Sequence, residues 1–163
     1  MKLDALLREI GARYERVRSG LDVGFEDEDV SRTLREFRGG VWMSIGNRPE
    51  FPFEDAQFEI VVMNGSMVSR ASVREANRIL RPEGCLFFTV PEKTRSQAGF
   101  TPPEIYRTVR EGFDILSVRR PPWWAFGFRG HTLTVCARKK AWHERTGTLC
   151  GSTVPVGFFR NAR

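Results

Sequence analysis

Cysteine is scarce in this chain: three thiols, odd in number and widely separated, supply neither a disulfide framework nor the paired spacing of a zinc site. A reducing compartment is expected. Cys85 and Cys136 fall in apolar strand-like runs, where a thiol behaves as a small hydrophobe, and Cys150 lies in the tail. No apolar run approaches the roughly 18 residues that a membrane-crossing helix needs, so no membrane partner is expected. Histidine is nearly missing. His131 and His143 stand alone, which reads as structural or exposed rather than catalytic, and no catalytic or metal-ligating residue is assigned. The opening MKLDALLREIGARYERV lacks a secretory apolar core and carries acids foreign to an organelle presequence. The expected location is intracellular, with cytoplasmic and organellar (mitochondrial) placements both open.

What is present is enough for one domain. In 163 residues, 40% of them apolar, a single core can form. The most informative stretch is FPFEDAQFEIVVMNGSMVSRASVREANRILRPEGCLFFTV. Phe58 to Met63 is an apolar run broken only by Glu59, the pattern of a strand covered on both faces. Ser72-Val73-Arg74-Glu75 has capping-box spacing and predicts a helix start. Val73, Ala76, Ile79 and Leu80 recur at helical spacing, with Arg74, Glu75, Asn77 and Arg78 outside. Pro82 and Gly84 are expected to stop it, and Cys85 to Val90 reads as the next strand. Two such strands joined by a helix lie parallel through a right-handed crossover.

The phrases FPFEDAQFEIVV and RILRPEGCLFFTVP resemble those that lead into the fourth strand and close the following helix in class I S-adenosylmethionine-dependent methyltransferases of the type 11 kind. SGLDVGFEDEDVSRTLREF is similar to the family's first strand, glycine loop and first helix. GFDILSV and HTLTVCARKK are similar to its antiparallel sixth and seventh strands. The resemblance covers roughly residues 19 to 140 in the right order and implies a Rossmann-like α/β sheet, mostly parallel with an antiparallel last strand. It divides the chain into a leading amphipathic helix (1–18), a methyltransferase-like domain (19–140) and an extension (141–163).

In the family, glycines let the backbone approach the cofactor, with a helix amino terminus facing its polar groups. The run here is Gly24-Phe25-Glu26-Asp27-Glu28-Asp29, in which only the first glycine survives. Four acids add like-charge repulsion near the cofactor's carboxylate, and two unit charges about 4 Å apart interact by roughly 4 kcal/mol at an effective dielectric of about 20. Val41 to Ile45 reads as the second strand. The family ends it with an acid that accepts from the ribose, whereas Gly46-Asn47-Arg48 follows here, and the charge-assisted acceptor is missing. Only Gly46 to Glu50 separate this strand from Phe51-Pro52-Phe53, so the family's next helix and third strand are read as deleted. If the cofactor binds, the resemblance places Asp22, Gly24, Asn47, Asn64 and Gly65 around it.

Charge is unevenly divided. Residues 1 to 90 hold 13 Lys/Arg against 15 Asp/Glu, a net of −2, and residues 91 to 163 hold 13 against 5, a net of +8. The basic half contains RRPPWWAFGFR, where Arg119, Arg120 and Arg129 alternate with Trp123, Trp124 and Phe126. Forked arginines suit phosphate and aromatic faces stack bases, so the segment is a candidate for single-stranded RNA, for a protein partner, or for packing on the sheet end. Arg138-Lys139-Lys140 reads as a solvated strand edge. In the leading helix Leu3, Leu6, Leu7, Ile10, Tyr14 and Val17 share one face, and Arg8, Glu9, Arg13 and Glu15 the other. Thr101-Pro102-Pro103-Glu104 predicts another helix start, with Ile105 and Val109 inward and an end by Gly112. The polar loop from Pro91 to Phe100 puts Lys93 and Arg95 at the carboxyl edge of the sheet, where an anionic substrate would meet them. The tail from Ala141 lacks periodicity and is expected to become ordered on a larger assembly.

The expectation is a methyltransferase-like protein that binds no cofactor and serves as a binding or scaffold subunit of an RNA-containing (ribonucleoprotein) or multi-protein assembly. Two alternatives stay open: an active enzyme using S-adenosylmethionine, and a pseudoenzyme that activates a catalytic homologue.

Overall fold

The computed structural model describes residues 2–25, 28–46, 48–95, 97–120 and 132–141. Helix α1 (Lys2–Gly11) is followed by β1 (Ser19–Val23), α2 (Glu28–Arg38), β2 (Val41–Ile45), β3 (Phe58–Asn64), α3 (Arg70–Ile79), β4 (Leu80–Pro91), α4 (Pro102–Val109), β5 (Phe113–Arg119) and β6 (Thr132–Lys139). Among the described residues the strands form one six-stranded sheet in the order β2-β1-β3-β4-β6-β5. β1 pairs in parallel with β2 and β3, and β3 with β4; β6 is antiparallel to both β4 and β5. Only β6 therefore runs against the rest, and β5 shares the direction of the parallel strands.

Each face of the sheet has its own core. On one side Leu21, Val23, Val61, Met63, Leu86 and Phe88 pack with Val73, Ala76 and Ile79 of α3 and Ile105 and Val109 of α4. On the other, Ile60, Val62, Phe87 and Cys136 pack with Leu6 and Ile10 of α1 and Leu34 of α2. Fully burying one such side chain contributes about 1.5–3 kcal/mol, and coverage on both faces is why these strands read as apolar runs rather than alternating ones. Between β2 and β3 the described residues, 46 and 48–57, hold neither helix nor strand, as the short spacing predicted. Their Phe51 and Phe53 join the first core, and Arg78 of α3 ties them down by donating to the carbonyls of Phe51 (2.9 Å) and Phe53 (2.7 Å).

Several expectations change. Helix α3 starts three residues earlier than Ser72 suggested: Ser69 is the cap, and it shares a capping box with Ser72. Glu75 instead accepts from Phe51 N at 3.0 Å and from Arg78. The helix ends at Ile79, before Pro82. Leu80 already pairs with Phe58, and residues 81–84 bulge out before Cys85 pairs with Ile60. Helix α1 stops at Gly11, leaving Tyr14 and Val17 beyond it, and Glu9 is not on a solvated face but 2% exposed. Lys139 is buried too, its Nζ donating to Leu80 O at 2.5 Å, because β6 sits between β4 and β5 rather than at the edge. The Thr101–Glu104 capping box is present as predicted. Cys85 and Cys136 are free and buried. Hydrogen bonding to Cys85, followed by burial, pushes the Cys136 thiol up. His131, His143, Cys150 and the tail beyond Ala141 lie outside the described residues.

Candidate functional site

Strand order reverses around β1, which has β2 on one side and β3 on the other. In an open α/β sheet the crevice beyond the carboxyl ends of the strands at such a switch point is where ligands sit. The sequence-predicted residues Gly24, Asn64 and Gly65 all arrive there, since they end or follow β1 and β3, whose Val23 and Met63 are register partners.

This crevice is bridged by the chain itself. Asn64 Nδ2 donates to Gly24 O at 3.0 Å, and Asn64 Oδ1 accepts from Ser66 N at 3.3 Å, opening a single 3-10 turn, Gly65–Met67. Gly24 adopts φ +73°, a conformation that side chains with a Cβ resist, and donates to Ile45 O at 2.8 Å. The turn chemistry therefore survives. The space beside it does not: a Cβ on Gly24 would lie 2.3 Å from Met67 Cγ and 3.1 Å from Met67 Sδ. Gly65 is equally hemmed in, since a Cβ there would lie 2.0 Å from Thr89 O. Gly65 is required by the backbone packed against it, and Gly24 by its positive φ.

Asp22 is fully buried on β1 and accepts from Ser44 Oγ at 2.7 Å, its register partner on β2. Burial pushes its carboxyl up to about 6, against the lowering effect of the Ser44 hydroxyl. Asp22 thus ties β1 to β2 beneath the crevice. Asn47, Glu26 and Asp27 lie outside the described residues, and Glu28 and Asp29 open α2 with side chains outside the described set. Met67 thus lies beside Gly24 at the mouth of the crevice, and the Asp22 carboxylate is engaged with Ser44 inside the sheet. Among the described residues no group of three or more His, Cys, Asp or Glu is placed to hold a metal.

Of the basic-aromatic segment, Arg119 and Arg120 are described, and both are paired. Arg119 Nε lies 2.7 Å from Glu9 Oε1, and Glu9 also takes Arg13 Nη1 at 2.8 Å and Ser117 Oγ at 2.9 Å. Arg120 forks onto Glu92, with Nε 3.0 Å from both carboxylate oxygens. Trp123, Trp124, Phe126 and Arg129 lie outside the described residues. At the carboxyl edge Lys93 pairs with Glu104 at 3.7 Å, while Arg95 is exposed. Met67, Ser44 and the buried Glu9 carry no local sequence signal, because each acts through a neighbour far away in the chain.

No protein-family model matches this sequence, and no curated protein matches it at a significant level. Solved structures do match in fold. The chain is similar to the 1,6-didemethyltoxoflavin-N1-methyltransferase of Burkholderia thailandensis, solved with S-adenosylhomocysteine, at 19% identity and TM-score 0.66 over 85% of this chain and 76% of that one. It is also similar to the N-methyltransferase NodS of Bradyrhizobium japonicum, solved with S-adenosylhomocysteine, at 14% identity and TM-score 0.66 over 85% and 86%. A third likeness, at 15% identity and TM-score 0.66 over 85% and 90%, comes from a complex between the Haloferax volcanii Trm112 methyltransferase activator and a methyltransferase. The chain has the Rossmann-like fold of class I methyltransferases. Among the described residues no helix is long and apolar enough to cross a membrane.

Proposed function

We propose that this chain is a non-catalytic, methyltransferase-like binding or scaffold subunit of a larger assembly, with a degenerate glycine loop of the type 11 kind. The observation that carries the reading is the bridged switch-point crevice, where Asn64 holds Gly24 O and Met67 lies against the Gly24 α-carbon. A ligand seated there would have to displace both contacts, and the acids of residues 26–29 would repel its carboxylate. A protein partner is favoured over RNA, because the two described arginines of the basic-aromatic segment already neutralise Glu9 and Glu92. RNA contact rests on Trp123, Trp124, Phe126 and Arg129.

The active-enzyme reading draws support from one feature, the positive φ kept at Gly24, and from fold neighbours solved with S-adenosylhomocysteine. Activation of a catalytic homologue is a variant of the scaffold reading. Calorimetric titration with S-adenosylmethionine separates them: no heat at millimolar ligand supports the scaffold, whereas a micromolar dissociation constant, equivalent to about 8 kcal/mol, supports the enzyme.

A further inference from the structure

Helices α3 and α4 pack against each other on one face of the sheet, with a groove between them. Arg70, Arg74 and Asn77 recur at helical spacing along α3 and form one wall. Across from them stand Thr108 of α4 and Glu111 and Gly112 just beyond it, around a cavity of about 210 Å³ that is floored by Val73, Val109 and Phe113 of the first core. A second cavity, of about 280 Å³, adjoins it: Arg70 and Thr108 line both, and Phe100, Glu104 and Arg107 belong to the second. Asn77 Nδ2 donates to Gly112 O at 2.7 Å and so fixes the spacing of the walls.

The charges along this groove do not cancel. Arg74 is spent on Glu111 at 3.4 Å, and Glu104 takes Thr101 N at 2.7 Å, Thr101 Oγ1 at 2.8 Å and Lys93 at 3.7 Å. Arg70 and Arg107 pair with no carboxylate among the described residues, and both line the second cavity. Arg70 stands in the first turn of α3, where the helix amino terminus adds a partial positive charge. We infer that the groove binds a small phosphate monoester with an apolar or aromatic body. Two unopposed guanidiniums match the charge of about −1.5 to −2 that such a phosphate carries at neutral pH, and their forked donors suit its oxygens. The apolar floor and the half-buried Phe100 beside it ask for a body that inorganic phosphate lacks. The inference goes beyond the scaffold function and does not rest on it, because the groove shares no lining residue with the Gly24–Asn64–Met67 crevice.

The test titrates the full chain with phenyl phosphate while following amide chemical shifts, with inorganic phosphate, phenol and a phosphoserine peptide as comparisons. Saturable binding with a dissociation constant at or below about 1 mM is expected, with shifts centred on Arg70, Thr108 and Gly112. Inorganic phosphate and the peptide are expected to bind more weakly, and phenol not at all. Arg70→Gln and Arg107→Gln should each weaken binding by about tenfold, whereas Arg110→Gln, outside the groove, should leave it unchanged. The substituted positions are exposed, and an unchanged melting midpoint confirms that the variants fold. No saturation by about 10 mM, shifts centred elsewhere, or parental binding in Arg70→Gln and Arg107→Gln would each overturn the inference. So would inorganic phosphate binding as tightly as phenyl phosphate, because the apolar floor would then be idle. Tighter binding of the phosphoserine peptide would overturn it too, since the occupant would then be a protein. Heat with S-adenosylmethionine bears on the crevice alone and leaves every one of these outcomes readable.

Discussion

Arg119 Nε lies 2.7 Å from Glu9 Oε1 and so joins the last residue of β5 to the last turn of α1. The carboxylate is buried and also holds Arg13 and Ser117, which fixes the leading helix on its face of the sheet.

Removing the cations is expected to be worse than removing the acid. Arg13→Ala with Arg119→Ala leaves a buried carboxylate on Ser117 alone and should destabilise the fold by about 3–5 kcal/mol. Glu9→Gln keeps hydrogen-bonding atoms in place and should destabilise by only about 1–2 kcal/mol. Urea unfolding of the two variants checks the order, and the reverse order would contradict the buried hub.

Asp22 gives the protein a defined pH response. Its folded carboxyl titrates at about 6 because it is buried, above the roughly 3.9 of an unfolded chain. The folded state therefore binds the proton more tightly. The associated stability is fully present below about pH 4 and is lost as pH rises through about 6, by about 3 kcal/mol at most. Asp22→Asn, which cannot ionise, should melt higher than the parent at pH about 7.5 and close to it at pH about 4. A gain at low pH, or no gain at neutral pH, would contradict the assignment.

The contact between Gly24 and Met67 is testable by coupling. Gly24→Ala adds strain at a positive φ and collides with the thioether, so a loss of about 1–3 kcal/mol is expected. Met67→Ala relieves the collision but not the strain. The double variant should therefore fall short of additivity by about 1 kcal/mol in thermal or urea unfolding. Strict additivity would place Met67 away from the turn.

Arg78 is the anchor of the segment between β2 and β3, through Phe51 O, Phe53 O, Glu75 and Asp55. Arg78→Ala should destabilise by about 2 kcal/mol, and Arg78→Lys should recover less than half of it, because an ammonium cannot reproduce the forked donors. Full rescue by lysine would reduce the role to charge alone.

The parts that were readable in the sequence are those decided locally. Val41–Ile45 and the Thr101–Glu104 box carry their whole signal within a few residues, and both stand as read. Helix α3 was misplaced at its start because Ser69 and Ser72 form a box with serine where glutamate is usual, while Ser72 and Glu75 mimic the usual pattern. Glu75 is used elsewhere, by Phe51 N from a distant loop. Glu9 and Lys139 looked solvated because charge on a helix or at a chain's last strand normally is. Their burial depends on Arg119 and on β6 lying inside the sheet. The site divided the same way: glycine positions were visible, but the occupant of the space beside Gly24 was not, since nothing in Gly-Ser-Met distinguishes a filler from a loop residue.

The closed crevice is tested most directly by crystallising the chain in the presence of saturating S-adenosylhomocysteine. The account predicts density for Met67 against Gly24, with Asn64 still bonded to the Gly24 carbonyl and no ligand between them. Density for the nucleoside in that place, with Met67 swung aside, would contradict it.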